Sequence, residues 1–192
     1  MKIGVINMKG GVGKSTISLA LAQSKIIDAN VITNDKYSLL PELFKEDILL
    51  VDSLNIKLSK YKDLVIDFGG FIDKNIMKVL KQVDVIVVPT LEDLLSLKTT
   101  IDTIKEIEHI AKRIIVVHNR ASKDNHSVQQ VIDDNFDMID VVKVRNSKVF
   151  NNALNETESV EKFINKDNLS KYIYRNISED INGLIEVIKG GN

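Results

Sequence analysis

The chain reads as an α/β protein, a mostly parallel central sheet with helices on both faces. Apolar, β-branched runs of strand length recur along its 192 residues, and segments of helical period separate most of them. The runs are apolar throughout rather than alternating, as strands covered on both faces require. Strands that alternate with helices pair in parallel through right-handed crossovers, and such sheets place their ligands at the strand C-terminal ends.

In order, strands are expected at 2–6, 30–33, 63–67, 84–88, 113–118 and 139–144, with a short further one at 48–51. The first strand leads to a helical stretch at 17–23. Leu97, Ile101, Ile104, Ile107 and Ala111 recur in steps of three and four, the repeat of one buried helix face. Leu169, Tyr172, Ile173, Ile177, Ile181, Leu184, Ile185 and Ile188 continue that pattern through one last helix ending at Gly190-Gly191. With 44% hydrophobic and 28% charged residues, 2 prolines and 9 glycines, the composition is that of a folded chain with a substantial core, so residues 1–192 are expected to form a single domain.

A net charge of −1 names no partner. The absence of cysteine excludes disulfides, thiolate metal sites and iron–sulfur ligation, which suits a reducing cytoplasm. No charged leader with an apolar block precedes the first strand and no apolar run approaches a membrane span, so the chain is expected to be neither exported nor integral.

Between the first strand and the helix lies Lys9-Gly10-Gly11-Val12-Gly13-Lys14-Ser15-Thr16, the order strand, phosphate loop, helix. Glycines let consecutive backbone N–H groups curl around a polyphosphate, and the helix N-terminus that follows favours anions. Lys14 is expected along the β- and γ-phosphates, the Ser15 hydroxyl on Mg²⁺ and Thr16 near the α-phosphate. The usual formula has a glycine where this chain has Met8, and a second cation, Lys9, stands in the loop.

Leu64-Val65-Ile66-Asp67 is an apolar strand ending in a carboxylate, the way a Walker B strand brings an acid to Mg²⁺ beside the loop. Phe68-Gly69-Gly70 follows as a candidate switch II. Asp67-Phe68-Gly69 also spells a kinase triplet, but H-R-D and the V-A-I-K lysine strand are missing. A guanine-reading N-K-x-D is missing as well: Asn165-Lys166-Asp167-Asn168 has its last two residues reversed and suits a cap of the final helix. Adenine is therefore the expected base. His118 has no second ligand at metal spacing and is expected to be structural or at the solvent edge; His109 and His126 carry no assignment.

The K-G-G-x-G-K-S-T form resembles the deviant Walker A motif of the ParA/MinD family of partition and positioning ATPases, with a SIMIBI-like P-loop NTPase architecture. The resemblance spans most of the chain. It implies ATP and Mg²⁺ as cofactors, with Gly10, Gly11, Val12, Gly13, Lys14, Ser15 and Thr16 at the nucleotide, Ser15 and Asp67 at the metal, and Lys9 reaching across a homodimer to the partner's nucleotide. Asp35, in Thr33-Asn34-Asp35-Lys36-Tyr37, aligns with the switch I aspartate that orients the hydrolytic water, a task a carboxylate near the γ-phosphate can perform. Thr33, Lys36 and Tyr37 depart from the family's D-x-D-P-Q. Strand 84–88 ends in Pro89-Thr90, like the family's strand end there. Asn119 matches an adenine-reading position, where an amide offers donor and acceptor together. The segment from Val144 and Arg145 to Ala153 is similar to the one lining the base pocket.

The activity so implied is that of a ParA-like ATPase: ATP–Mg²⁺ binding, a nucleotide-sandwich homodimer, nonspecific DNA binding with association to the nucleoid, and hydrolysis stimulated by a centromere-binding partner, segregating plasmid or chromosome DNA. Between Lys143 and Arg175, seven basic residues stand against four acidic ones, a local +3 that can serve DNA phosphates or a solvated face. The C-terminal segment carries Glu179, Asp180 and Glu186, so its apolar face is expected to pack on the sheet rather than bind a membrane. The alternatives are a MinD-like positioning ATPase on a membrane or protein scaffold, and a small-molecule ATP-dependent synthetase or kinase of related fold, which needs an acceptor pocket.

Overall fold

The computed structural model describes residues 1–36, 38, 40–44, 48–50, 57–122 and 126–190. They form one seven-stranded sheet. Its strands are β1 (Lys2–Val5), β2 (Asn30–Thr33), β3 (Ile48–Leu50), β4 (Leu64–Asp67), β5 (Val85–Thr90), β6 (Ile114–Ala121) and β7 (Asp140–Arg145). All pairings are parallel, in the order β3-β2-β4-β1-β5-β6-β7. The expected strands are all present, and 48–50 supplies the edge strand; Val51 and Tyr37 lie outside the described residues.

The strands are apolar on both sides because each side meets helices. Ile3, Val5, Val65, Val87, Ile115 and Val117 point into one core layer, and Ile6, Ile66, Ile86, Val88 and Val116 into the other. The first layer is covered by α1 (Lys14–Ala22), α6 (Val149–Asn155), α7 (Val160–Asn165) and α9 (Arg175–Ile188), with Leu40 and Phe44 from and just after the short α2 (Leu40–Leu43). The second is covered by α3 (Lys74–Leu80), α4 (Leu94–Ile107) and α5 (Ser127–Asp133), and the 3-10 turn Leu58–Lys60 adds Leu58 to it. Gly4 leaves room on this side for Phe68: a Cβ there would stand 3.1 Å from the Phe68 ring.

β1 lies between β4 and β5, so the chain leaves it where its neighbours diverge, the switch point at which such sheets bind ligands. Register completes the placement. Asp67 is level with Val5 on one side and Thr33 on the other, which brings the ends of β1, β4 and β2 into one row.

Two expectations about helices need correction. α4 ends at Ile107, so Ala111 lies beyond it, and Ile101 is half-buried; the buried face also carries Ser96, Thr100 and Thr103. The expected last helix is two, α8 (Asn168–Ile173) and α9, broken at Tyr174 (φ −101°, ψ 12°). The Tyr174 ring turns inward onto Phe163, with centroids 5.9 Å apart, and its hydroxyl accepts a hydrogen bond from Asn152 at 3.1 Å. The break leaves Leu169, Tyr172 and Ile173 exposed (67, 78 and 58%). Asp167 caps α8 by accepting from the Ser170 N–H. α9 packs against β7 through Ile177, Ile181, Leu184, Ile185 and Ile188, as expected of the C-terminal segment.

The break is testable by denaturant unfolding. Ile177→Ala should cost about 2–5 kcal/mol, as for a buried large-to-small change, while Tyr172→Ser should leave the midpoint almost unmoved. Equal losses would restore one continuous buried face.

Candidate phosphate-binding site

The loop after β1 meets α1 at Gly13, whose left-handed backbone (φ 95°) starts the helix with no side-chain cap. The first N–H groups of α1 therefore point outward without a protein side chain to satisfy them, as an anion site requires. Gly13 admits no side chain for a second reason: a Cβ there would collide with the Asn119 amide. That amide donates to the Val12 carbonyl at 2.9 Å and accepts from the Arg120 N–H at 3.0 Å, tying β6 to the loop.

Two serines on one face of α1 hold the Asp67 carboxylate. Ser15 donates to Asp67 Oδ2 at 2.7 Å and Ser18, one turn on, to Oδ1 at 3.2 Å. Burial raises the Asp67 carboxyl from its ordinary range to about 6, against the two serine hydrogen bonds and the nearby Lys14 charge, which lower it. Lys14 is the converse case: burial lowers its pKa while Asp67 and Asp35 raise it. Its ammonium donates to the Lys9 carbonyl at 3.1 Å. Asp35 thus stands close enough for its charge to act on both. Its N–H donates to Thr33 Oγ1 at 3.1 Å and its carbonyl accepts from Ser38, forming the turn after β2.

The two candidate switches touch through a residue to which the sequence assigned no role. Asn34 Oδ1 accepts from the Gly69 N–H at 2.8 Å. Gly70 runs against the loop, where a Cβ would stand 3.3 Å from the Met8 carbonyl. Ser18 and Asn34 went unnoticed because neither belongs to a local motif; each acts on a group more than thirty positions away.

The ligand chemistry fits this geometry. The described residues contain no cluster of three or more His, Cys, Asp or Glu that could hold a metal by themselves. Ser15 and Asp67 offer hard oxygens side by side, and Asp67 is a buried carboxylate whose ionised form calls for a cation, so Mg²⁺ completed by phosphate and water oxygens suits the pair.

Lys9, at the start of the loop, is half-buried. Asp93 is held below the ordinary carboxylate range by its hydrogen bonds to Ser96, with Lys9 adding a smaller charge contribution, which places the Lys9 cation toward the start of α4. Leu94 and Leu95 there, and Phe71 after Gly70, are exposed large apolar residues. Arg145 does not face the loop freely: Asp180 on α9 takes its guanidinium bidentately at 2.7 and 2.8 Å and its N–H at 2.9 Å. His118 is fully buried and belongs to the core edge rather than to solvent. Its Nε2 lies 3.4 Å from Glu92 without hydrogen-bond geometry, and burial lowers its pKa. Beside Ser15 and Thr16 opens a cavity of about 120 Å³ whose walls include Leu19, Phe44, Phe150 and Leu154.

This fold is that of the ParA/MinD ATPases. The chain is similar to apo McdA from Cyanothece (TM-score 0.70, 14% identity, covering 96% of this chain and 98% of that one). It is also similar to a ParA family ATPase from Chlorobium tepidum (TM-score 0.60, 22% identity, 88% and 94%). A third neighbour is the septum site-determining protein MinD from Pyrococcus horikoshii, complexed with Mg-ADP (TM-score 0.60, 15% identity, 97% and 98%). No protein-family model and no curated protein matches the sequence.

Burial of Asp67 gives a signed pH dependence. Its folded-state pKa, about 6 against 3.8, makes the folded chain retain a proton that the unfolded chain releases, so stability from this group is present below pH 4 and declines as pH rises through 4–6. Without nucleotide or Mg²⁺, Asp67→Asn should therefore gain about 2–3 kcal/mol over wild type between pH 4 and pH 7.5. A constant difference in urea unfolding at the two pH values would contradict it.

Proposed function

We propose that the chain is a ParA-like ATPase. It binds ATP with Mg²⁺, pairs with a second copy around two nucleotides, holds nonspecific DNA as a dimer, and hydrolyses ATP when a centromere-bound partner protein stimulates it. The observation that carries this is the joint placement of Lys9, Lys14, Ser15, Asp67 and Asp35 at one switch point of a ParA/MinD fold. The Mg-ADP in the MinD neighbour supports the same cofactors.

Gly10, Gly11, Val12 and Gly13 supply backbone N–H groups to the phosphates and Thr16 lies at their α end. Lys14 neutralises the β- and γ-oxygens, and Ser15 with Asp67 would hold the metal. Bound Mg²⁺ would add further neutralisation of phosphate charge. Asp35 orients the attacking water, and Lys9 crosses to the partner's nucleotide. Asn119 and Arg145 are assigned to the base; beside their bonds to Val12 and Asp180 the Asn119 amide keeps a second N–H and the Arg145 guanidinium its remaining N–H groups.

Hydrolysis resets the dimer because γ-phosphate contacts order the switches only in the ATP state, so multivalent DNA binding is lost with the phosphate. A second reading, a MinD-like ATPase on a membrane or protein scaffold, is favoured by exposed Leu169, Tyr172 and Ile173 next to Lys171 and Arg175. The mostly apolar walls of the 120 Å³ cavity give no support to a synthetase acceptor site.

Molecular-mass measurement with ADP, then with a slowly hydrolysed ATP analogue, with plasmid DNA or anionic vesicles, separates these readings. The analogue should double the mass and the dimer should be retained on random duplex DNA in a salt-sensitive way. Lys14→Ala should weaken nucleotide binding at least about 100-fold. Lys9→Ala should bind ATP as a monomer without dimerising, and Asp35→Ala should trap the ATP dimer. Retention on vesicles and not on DNA would select the second reading, and a Lys9→Ala dimer would remove the cross-subunit role.

A further inference from the structure

Beneath α4 runs a buried polar chain that neither the loop motif nor the apolar periodicity explains. Asn7, Thr90, Thr100 and Thr103 are each fully buried. Asn7 Nδ2 donates to the Pro89 carbonyl and to Thr100 Oγ1, both at 2.8 Å. Thr100 donates onward to Thr90 at 2.8 Å, and Thr90 to the Leu91 carbonyl at 3.2 Å. The donors run head to tail, an order in which each bond polarises the next.

That order dictates how Asn7 is turned. With its amide hydrogens committed to Pro89 and Thr100, its Oδ1 faces the loop and accepts the Lys9 N–H at 2.8 Å. The preceding N–H, of Met8, donates to Thr103 Oγ1 at 3.2 Å. Two successive amides of the loop are therefore held by side chains anchored in β5 and α4. Next along the loop, Gly10 and Gly11 stand in open space: a Cβ on either would meet nothing within 4 Å.

We infer that Asn7 is a positioning residue for Lys9. Held by Pro89 and Thr100, it fixes the peptide from which the Lys9 side chain departs, so that the ammonium leaves the loop toward a second copy and not into solvent. This inference rests on the cross-subunit role of Lys9 proposed above. Asn7 itself, fully buried, touches no phosphate and acts only through the Lys9 backbone.

The test compares Asn7→Asp, which turns a carboxylate oxygen toward the Pro89 carbonyl, with Thr100→Val, which keeps shape and removes one link. Each is made in the wild-type chain and in Lys9→Ala, with thermal midpoints followed throughout. In the wild-type chain, monomer binding of an ATP analogue should change less than about twofold, while ATP-dependent dimerisation and turnover fall about tenfold, the loss expected from one buried hydrogen bond. In the Lys9→Ala chain the same substitutions should change turnover no further, because the group they position is gone. Independent losses in both backgrounds, or undiminished dimerisation by both variants, would overturn the inference. If Asn7→Asp does not fold, Thr103→Val, which releases the Met8 amide, takes its place in the same comparison. Should Lys9→Ala alone leave dimerisation intact, the cross-subunit reading fails and this inference with it. Loss in Lys9→Ala without coupling to Asn7 overturns this inference alone.

Discussion

The architecture depends on keeping one carboxylate, Asp67, out of water. It ends a central strand level with the last residue of β1, nearly all of its surface is covered, and its hydrogen bonds come from two neutral hydroxyls on α1. Such a group is costly unless a cation is close. Lys14 provides one, and burial disfavours its charged form in turn, so each group stabilises in the other the ionisation that the interior opposes. An exposed Asp67 could meet a cation anywhere on the surface. Buried at the switch point, it lies against the loop that follows β1, where Ser15 and the charge of Lys14 meet it.

The strands were legible because a sheet covered on both faces writes itself as continuous β-branched runs, and the phosphate loop and Asp67 because each belongs to a contiguous motif. What escaped depends on partners remote in sequence. The break at Tyr174 follows from Phe163 and Asn152, and periodicity alone carried the apolar pattern straight across it. Thr100 and Thr103 occupy the buried face of α4 although they are polar, because Asn7 and the Met8 amide meet them there. Arg145 could not be placed from its own neighbourhood, since the carboxylate that takes it stands thirty-five residues later on α9.

Counting charges along the chain does not show which cations are already paired. Arg145 is bound to Asp180 and Arg175 lies 3.7 Å from Glu179, two acids beyond the segment, while within it Lys166 reaches both oxygens of Glu156 at 3.3 Å. Such exposed pairs add little stability, yet a phosphate must compete with each carboxylate for its cation. Among the described residues, Lys148, Lys162 and Lys171 have no carboxylate within ion-pairing distance, and the field of such exposed cations is screened by salt.

The Lys9 peptide is where these constraints meet. Its N–H is held by Asn7 and its carbonyl by the Lys14 ammonium, one grip from the core beneath α4 and one from the site itself. The first grip is a neutral hydrogen bond whose acceptor, Asn7, is itself held by two buried ones. The second uses the cation a triphosphate would claim, so a nucleotide competes for the grip on the carbonyl and leaves the grip on the N–H untouched. The Lys9 N–H and carbonyl belong to successive peptide groups, so loss of the second hold would leave the first in place. The polar chain under α4 gives the Lys9 amide a partner that apolar residues filling the same layer would not.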